Sequence, residues 1–219
     1  VVVFTGERIV KKIAALFVAT NGPYFLRDYI DCYDESRDAM TYSDSLPVIA
    51  HPPCNLWGKF ALVNYKRWGG EHNRLGNDGG KFNFALDAVN RCGGVIEHPA
   101  HSYAWREYTL ERPRFGVWIK SGRGWVTEVW QSAYGHKANK KTWLYAASIV
   151  KPKDLRWEKV VGSHQIGQRD QRGKAANKPT VTRKEAIHTP EAFLDELVEI
   201  AKRANWSDMS TTTSVLVSA

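Results

Sequence analysis

The chain has 219 residues, 43% hydrophobic and 12% aromatic, enough to bury a substantial single core and too apolar for a disordered tail. Lys and Arg number 31 against 23 Asp and Glu, a net charge of +8 that favours a polyanionic partner, nucleic acid first, or a nucleotide-like substrate. Three cysteines make no disulfide framework and suit reduced thiols in a cytoplasmic setting; no apolar run approaches the ~18 residues of a membrane span, and residues 1–20 lack the order of a signal peptide.

In chain order, Ile13 to Ala19 reads as a first buried strand, broken by the turn residues Thr20-Asn21-Gly22-Pro23. Tyr29 to Tyr33 reads as a second, with Asp31, Asp34 and Asp38 at or after its end. Val48-Ile49-Ala50 is a third, stopped by His51-Pro52-Pro53-Cys54. Leu56 to Asn77 has no clean period and reads as a long surface segment, a candidate lid. Asp78 then opens a helix whose Phe82, Ala85, Leu86, Val89 and Cys92 share one face, ended by Gly93-Gly94. Val95-Ile96 follows as a strand stopped by Glu97-His98-Pro99. The order strand, loop, helix, strand predicts an α/β fold with a Rossmann-like, mostly parallel sheet and flanking helices.

Beyond it, a short helix is expected near Tyr103–Tyr108, with loop after it, and strands at Trp125–Trp130 and Thr142–Ala147. Residues 151–186 hold ten Lys/Arg against four acids, +6 of the net charge, in a segment that is either a solvated linker or a phosphate-contacting surface. Thr189-Pro190-Glu191 signals a helix start, with Phe193, Leu194, Leu197, Val198 and Ala201 on its docking face. The expected organisation is an α/β core over 1–150, a basic segment over 151–188, a docked helix over 189–206 and a tail over 207–219.

Four groupings carry candidate chemistry. Cys54 and Glu97 each follow a predicted strand and each sits against proline. If those strands are neighbours, thiol and carboxylate emerge at one sheet edge, where open α/β sheets place their ligands. That pair suits covalent attack on a pyrimidine: sulfur adds to ring carbon 6 while the carboxyl group holds the ring nitrogen and exocyclic group. A thiolate near neutral pH needs a positive neighbour, which His51 or the basic loops supply. The plainer reading of Cys54 is a buried small hydrophobe. His51-x-x-Cys54 and His98-x-x-His101 have zinc-like spacing, although proline beside a ligand restricts chelation, and no second cysteine or H-x-E supports a zinc deaminase. Phe17 to Gly22 is the third grouping, a one-glycine loop after the first strand that reads as a turn; Asp31, Asp34 or Asp38 suits a ribose or adenine edge, or simply caps a helix. Fourth, Tyr134 to Trp143, with Lys137, Lys140 and Lys141, is either a phosphate-gripping loop or a solvated turn.

Taken in order, these pieces resemble the cytosine-5 DNA methyltransferases, in particular short, divergent phage-type members, over roughly Ala14 to Tyr145. Pro52-Pro53-Cys54 resembles the family's nucleophile loop and Glu97-His98-Pro99 its glutamate segment. The resemblance implies a class I methyltransferase-like fold with Cys54 as nucleophile, Glu97 as catalytic acid, and His51 or His98 as orienting groups. It implies S-adenosylmethionine as cofactor, held by Phe17, Asn21 and Gly22 with Asp31, Asp34 and Asp38. It implies DNA or another nucleic acid as partner, gripped by Lys137, Lys140, Lys141, Arg169, Arg172 and Lys174, and action in the cytoplasm, that of the host cell for a phage protein. This chain departs from the family by lacking two of the three glycines of the cofactor loop, by Asn55 after the nucleophile, by His98 after the glutamate, and by having no large target-recognition domain past residue 145. Two other readings stand beside it: a non-catalytic relative that binds nucleic acid or a nucleotide, and a zinc-supported nucleic-acid enzyme.

Overall fold

A computed structural model describes residues 12–58, 61–167 and 177–204 of the chain. Four apolar runs become strands β1 (Ile13–Leu16), β2 (Ile30–Tyr33), β3 (Val48–Ala50) and β4 (Gly94–Pro99). They join β5 (Ile119–Ser121), β6 (Gly124–Trp130) and β7 (Lys141–Ala147) in one seven-stranded sheet of order β2-β1-β3-β4-β7-β6-β5. β1 pairs with β2 and β3, and β3 with β4, all parallel; β7 runs antiparallel to both β4 and β6, and β5 antiparallel to β6. β1–β4 and β6 therefore point the same way. The architecture is α/β with a mixed, mostly parallel sheet, compatible with the expected Rossmann-like fold.

The parallel half is buried on both faces, as such sheets are. Side chains alternate between two cores because a strand has period two. Ala14, Leu16, Val48, Ala50 and Ile96 enter one core with helix α2 (Lys81–Cys92). Ile13, Ala15, Ile49 and Val95 enter the other with helix α5 (Glu191–Lys202), whose Phe193, Leu194, Leu197, Val198 and Ala201 are all buried, as their spacing predicts. Gly94 is required between β3 and β4: its φ is +131° and a Cβ there would lie 1.9 Å from the Val48 carbonyl oxygen.

Several local expectations shift. The first strand ends at Leu16 rather than Ala19, because Phe17 turns to a φ of +59°. Glu97 and His98 lie inside β4 and do not stop it. The expected lid over Leu56–Asn77 contains helix α1 (Ala61–Trp68) and a 3-10 turn at Glu71–Asn73, and it is pinned by buried Trp57. The short helix near Tyr103 is α3 (Ala104–Glu107); the loop after it includes β5, too short to leave a period. Thr189 does not cap α5, whose preceding residue is Pro190 without a side-chain cap. The cap chemistry instead sits one element earlier, at α4 (Arg183–Ile187), where Thr182 and Glu185 form a reciprocal capping box.

The chain between β7 and α5 returns along the carboxyl edge of the sheet. His164 bridges to Ala138 and Gln165 to Thr180, and Lys178 Nζ donates to the Gly162 carbonyl. The tail over 207–219 lies outside the described residues, as do Arg169, Arg172 and Lys174.

Candidate active site

The pairing register builds the site. Leu16 pairs with Tyr33 and Ala50, and Ala50 pairs with Ile96, so the next residues, Phe17, Asp34, His51 and Glu97, fall in one row at the carboxyl edge. β2 and β3 leave β1 on opposite sides, so the crevice between β1 and β3 is a topological switch point, where open α/β sheets bind ligands. A cleft of about 2060 Å³ opens there. It exceeds the ~300–1,000 Å³ of a small-ligand pocket and has room for a cofactor beside a nucleotide of a polymer. Phe17, Asn21, Gly22, His51, Cys54, Glu97, His98, Lys140 and Lys141 line it; Asp31, Asp34, Asp38 and Lys137 do not.

Glu97 sits at the centre of a hydrogen-bond chain. His51 Nδ1 donates to its Oε2 at 3.0 Å, and buried Gln131 Nε2 donates to its Oε1 at 3.0 Å. A carboxylate only accepts, so the proton of a neutral His51 stands on Nδ1, and Nε2 accepts from the Tyr24 hydroxyl at 2.7 Å. Burial, then the nearby Glu97 charge, pushes the Tyr24 phenol well above its ordinary value and keeps it a donor. Burial alone would also raise the Glu97 carboxyl, but the Lys140 charge and the His51 hydrogen bond outweigh it and hold Glu97 down at about 2. Tyr24 and Gln131 have no signal in the sequence, being 27 and 34 residues from their partners.

Cys54 leaves β3 on the rigid Pro52-Pro53 loop and is exposed. Its thiol still has a crowded environment. Burial and the Glu97 charge push it above its ordinary value, while the Lys140 charge pulls it down. His51 gives both ring nitrogens to other partners, so Lys140 is the positive neighbour the thiol feels. The loop is anchored from below: the Trp57 indole donates to Asp78 Oδ2 at 2.8 Å.

His98 lies under this loop with only 1% of its surface exposed, its ring against the Pro52 and Pro53 backbone without a well-aligned hydrogen bond. Its ring packs edge-on to Phe82 and stacks with Trp105, and burial pushes it down to about 4. A neutral ring among aromatics belongs to the core beneath the site.

The three acids expected at a cofactor already have partners. Arg37 pairs with both oxygens of Asp31 and covers the Tyr33 ring at 3.7 Å. Asp34 accepts from Ser36 and the Arg37 amide, and hydrogen bonds from Ser36, first, and Thr20 hold it at about 2. It shapes the loop after β2 and ties Thr20, in the loop after β1, to it. Asp38 caps a 3-10 turn by accepting from the Met40 amide. Lys137 is ion-paired with Glu185, and Lys141 lies over the Trp130 ring at 4.7 Å.

No family model, curated protein or solved structure matches the chain. Among the described residues no group of three or more His, Cys, Asp or Glu is placed to hold a metal, and no helix is long and apolar enough to cross a membrane.

Proposed function

We propose that the protein modifies a pyrimidine base of nucleic acid, most simply by transferring a methyl group to carbon 5 of cytosine through a covalent Cys54 adduct. The observation that carries this reading is that Cys54 and Glu97, delivered by adjacent parallel strands, share one large cleft at the carboxyl edge, where the Glu97 charge acts on the Cys54 thiol. The Cys54 sulfur forms a bond to carbon 6, and the displaced electron pair makes carbon 5 nucleophilic. Glu97 receives the exocyclic amino group, for which one present partner, His51 or Gln131, must share its oxygen. Lys140 favours the thiolate as its proton leaves. Carbon 5 takes the methyl group as the methyl's bond to the donor's sulfonium sulfur breaks and the donor leaves as a neutral thioether. Loss of the carbon-5 proton to solvent and cleavage of the carbon–sulfur bond then release the Cys54 thiolate. A base within a duplex must be flipped out to reach the cleft.

The loop Phe17–Gly22 is the part of the chain that fits S-adenosylmethionine. It lines the cleft at the switch point, Phe17 and Asn21 hold left-handed φ values of 59° and 56°, and Gly22 closes the turn so tightly that a Cβ would lie 2.8 Å from the Ala19 carbonyl oxygen. When bound, the cofactor supplies an electrophilic methyl group. Asp31, Asp34 and Asp38 do not hold it in this reading, since all three are engaged by the chain.

The test is mass spectrometry of nucleosides from DNA co-expressed with the protein. We expect 5-methylcytosine with the wild type and none with Cys54→Ser. An equal yield from the serine variant removes Cys54 from the role. The engaged acids and the raised Cys54 thiol favour a second reading, a non-catalytic nucleic-acid binder. It predicts no modified base and no heat of binding with S-adenosylmethionine in calorimetry.

A further inference from the structure

The helix next to the Cys54 loop is exposed where a helix of this composition ordinarily docks. α1 (ALVNYKRW) buries only Ala61, while Leu62, Val63 and Tyr65 are exposed and Trp68 shows 69% of its surface to solvent. Leu62, Val63, Tyr65 and Trp68 together make an apolar patch on one exposed helix, and such a patch, unlike a lone exposed hydrophobe, marks an interaction site. The helix has no acid; Lys66 and Arg67 are exposed beside Trp68, and the Arg67 guanidinium lies 4.9 Å over its ring. Val63 continues the surface into the cleft. Among the described residues lining that cleft, Lys and Arg outnumber Asp and Glu five to two, and one of the two acids is buried Glu97. Both features call for a polyanion with flat apolar faces.

We propose that α1 is a docking element for single-stranded nucleic acid. Trp68 stacks one unpaired base, Lys66 and Arg67 meet the flanking phosphates, and the strand continues over the cleft towards Lys178, Arg183 and Lys184 on its other rim. Stacking on an exposed indole needs a base free of its partner, and aromatic faces interleaved with cations are how single strands are held without sequence preference. The assignment rests on the nucleic-acid reading above and narrows its substrate to an unpaired strand.

Fluorescence anisotropy with the full chain and a labelled single strand of about 12 nucleotides tests this, set against the same sequence as a duplex and against phosphatidylserine vesicles. The single strand should bind more tightly than the duplex. Trp68→Ala should weaken it about 5- to 150-fold, the loss for one stacked base, and Trp68→Phe should recover most of the affinity. Replacing Lys66 and Arg67 together by Ala should lower the slope of log K against log salt by roughly 0.7 for each phosphate no longer neutralised. Unchanged binding by Trp68→Ala, equal binding of the duplex, or binding of vesicles but not oligonucleotides overturns the assignment. Nucleoside analysis of the same variants separates the two proposals. Modified cytosine together with Trp68-independent binding removes only the α1 dock; Trp68-dependent binding without modified cytosine removes only the methyl transfer.

Discussion

Glu97 carries its charge where burial opposes it, and the Lys140 charge and the His51 hydrogen bond decide the outcome. The same balance sets the neighbouring thiol. Glu97→Gln removes the charge that raises the Cys54 thiol and should speed its alkylation by iodoacetamide several-fold near pH 8; Lys140→Ala should slow it by a similar factor. Peptide mass spectrometry reads the rate at Cys54 apart from the other two cysteines. The acid limb of stability draws on several depressed groups, Asp34, Glu185 and His136 among them, and the two most deeply buried are His98 and Glu97. His98 sits at about 4 against an ordinary 6.5, so the unfolded ring takes a proton the buried ring refuses, and stability falls as pH drops from 6.5 towards 4. Glu97, at about 2 against 4.5, contributes stability that is complete above 4.5 and lost as pH falls towards 2. Urea unfolding at stepped pH should show both windows, and His98→Phe should reduce the slope of the upper one, to which the lowered His136 also contributes, while leaving the lower one unchanged.

At the scale of elements, the site depends on two joints. Asp78 accepts from the Gly80 and Phe82 amides at the start of α2 and from the Trp57 indole, so one carboxylate starts the helix and anchors the loop that presents Cys54. Asp78→Ala should cost about 2–4 kcal/mol in urea unfolding, the sum of a missing cap and an unpaired buried indole N–H. The second joint is Gly94. A methyl group there meets the Val48 carbonyl, so Gly94→Ala should separate β3 from β4 and cost about 4 kcal/mol or more, by the same measurement. α2 was readable from its spacing because a helix docked on one face repeats its apolar residues every three to four positions. α1 was not, because its apolar residues face solvent and no core imposes a period on them.

Across the whole molecule, the described parts of the segment between β7 and α5 are tied to the sheet at several points, among them Lys153 to Trp118, Val160 to Ser132, His164 to Lys137, and Glu185. The Glu185 side chain pairs with Lys137 and completes the Thr182 box, and its carbonyl accepts from buried His136. Because those side-chain contacts are exposed, Glu185→Ala should leave the midpoint of global urea unfolding nearly unchanged. It should nevertheless speed trypsin cleavage after Arg183 or Lys184, since local opening rather than unfolding admits the protease. Local pattern alone determined the apolar strand runs, the proline-stiffened loop that presents Cys54, and the buried faces of α2 and α5, because each is a matter of neighbouring residues and their period. Only the folded chain decided the strand order that sets Glu97 beside His51, the reversal of β7, the Tyr24 and Gln131 contacts, and the capture of Asp31 by Arg37. Those depend on which side of β1 each strand takes and on where a side chain finds its partner in space, and no spacing along the chain encodes either.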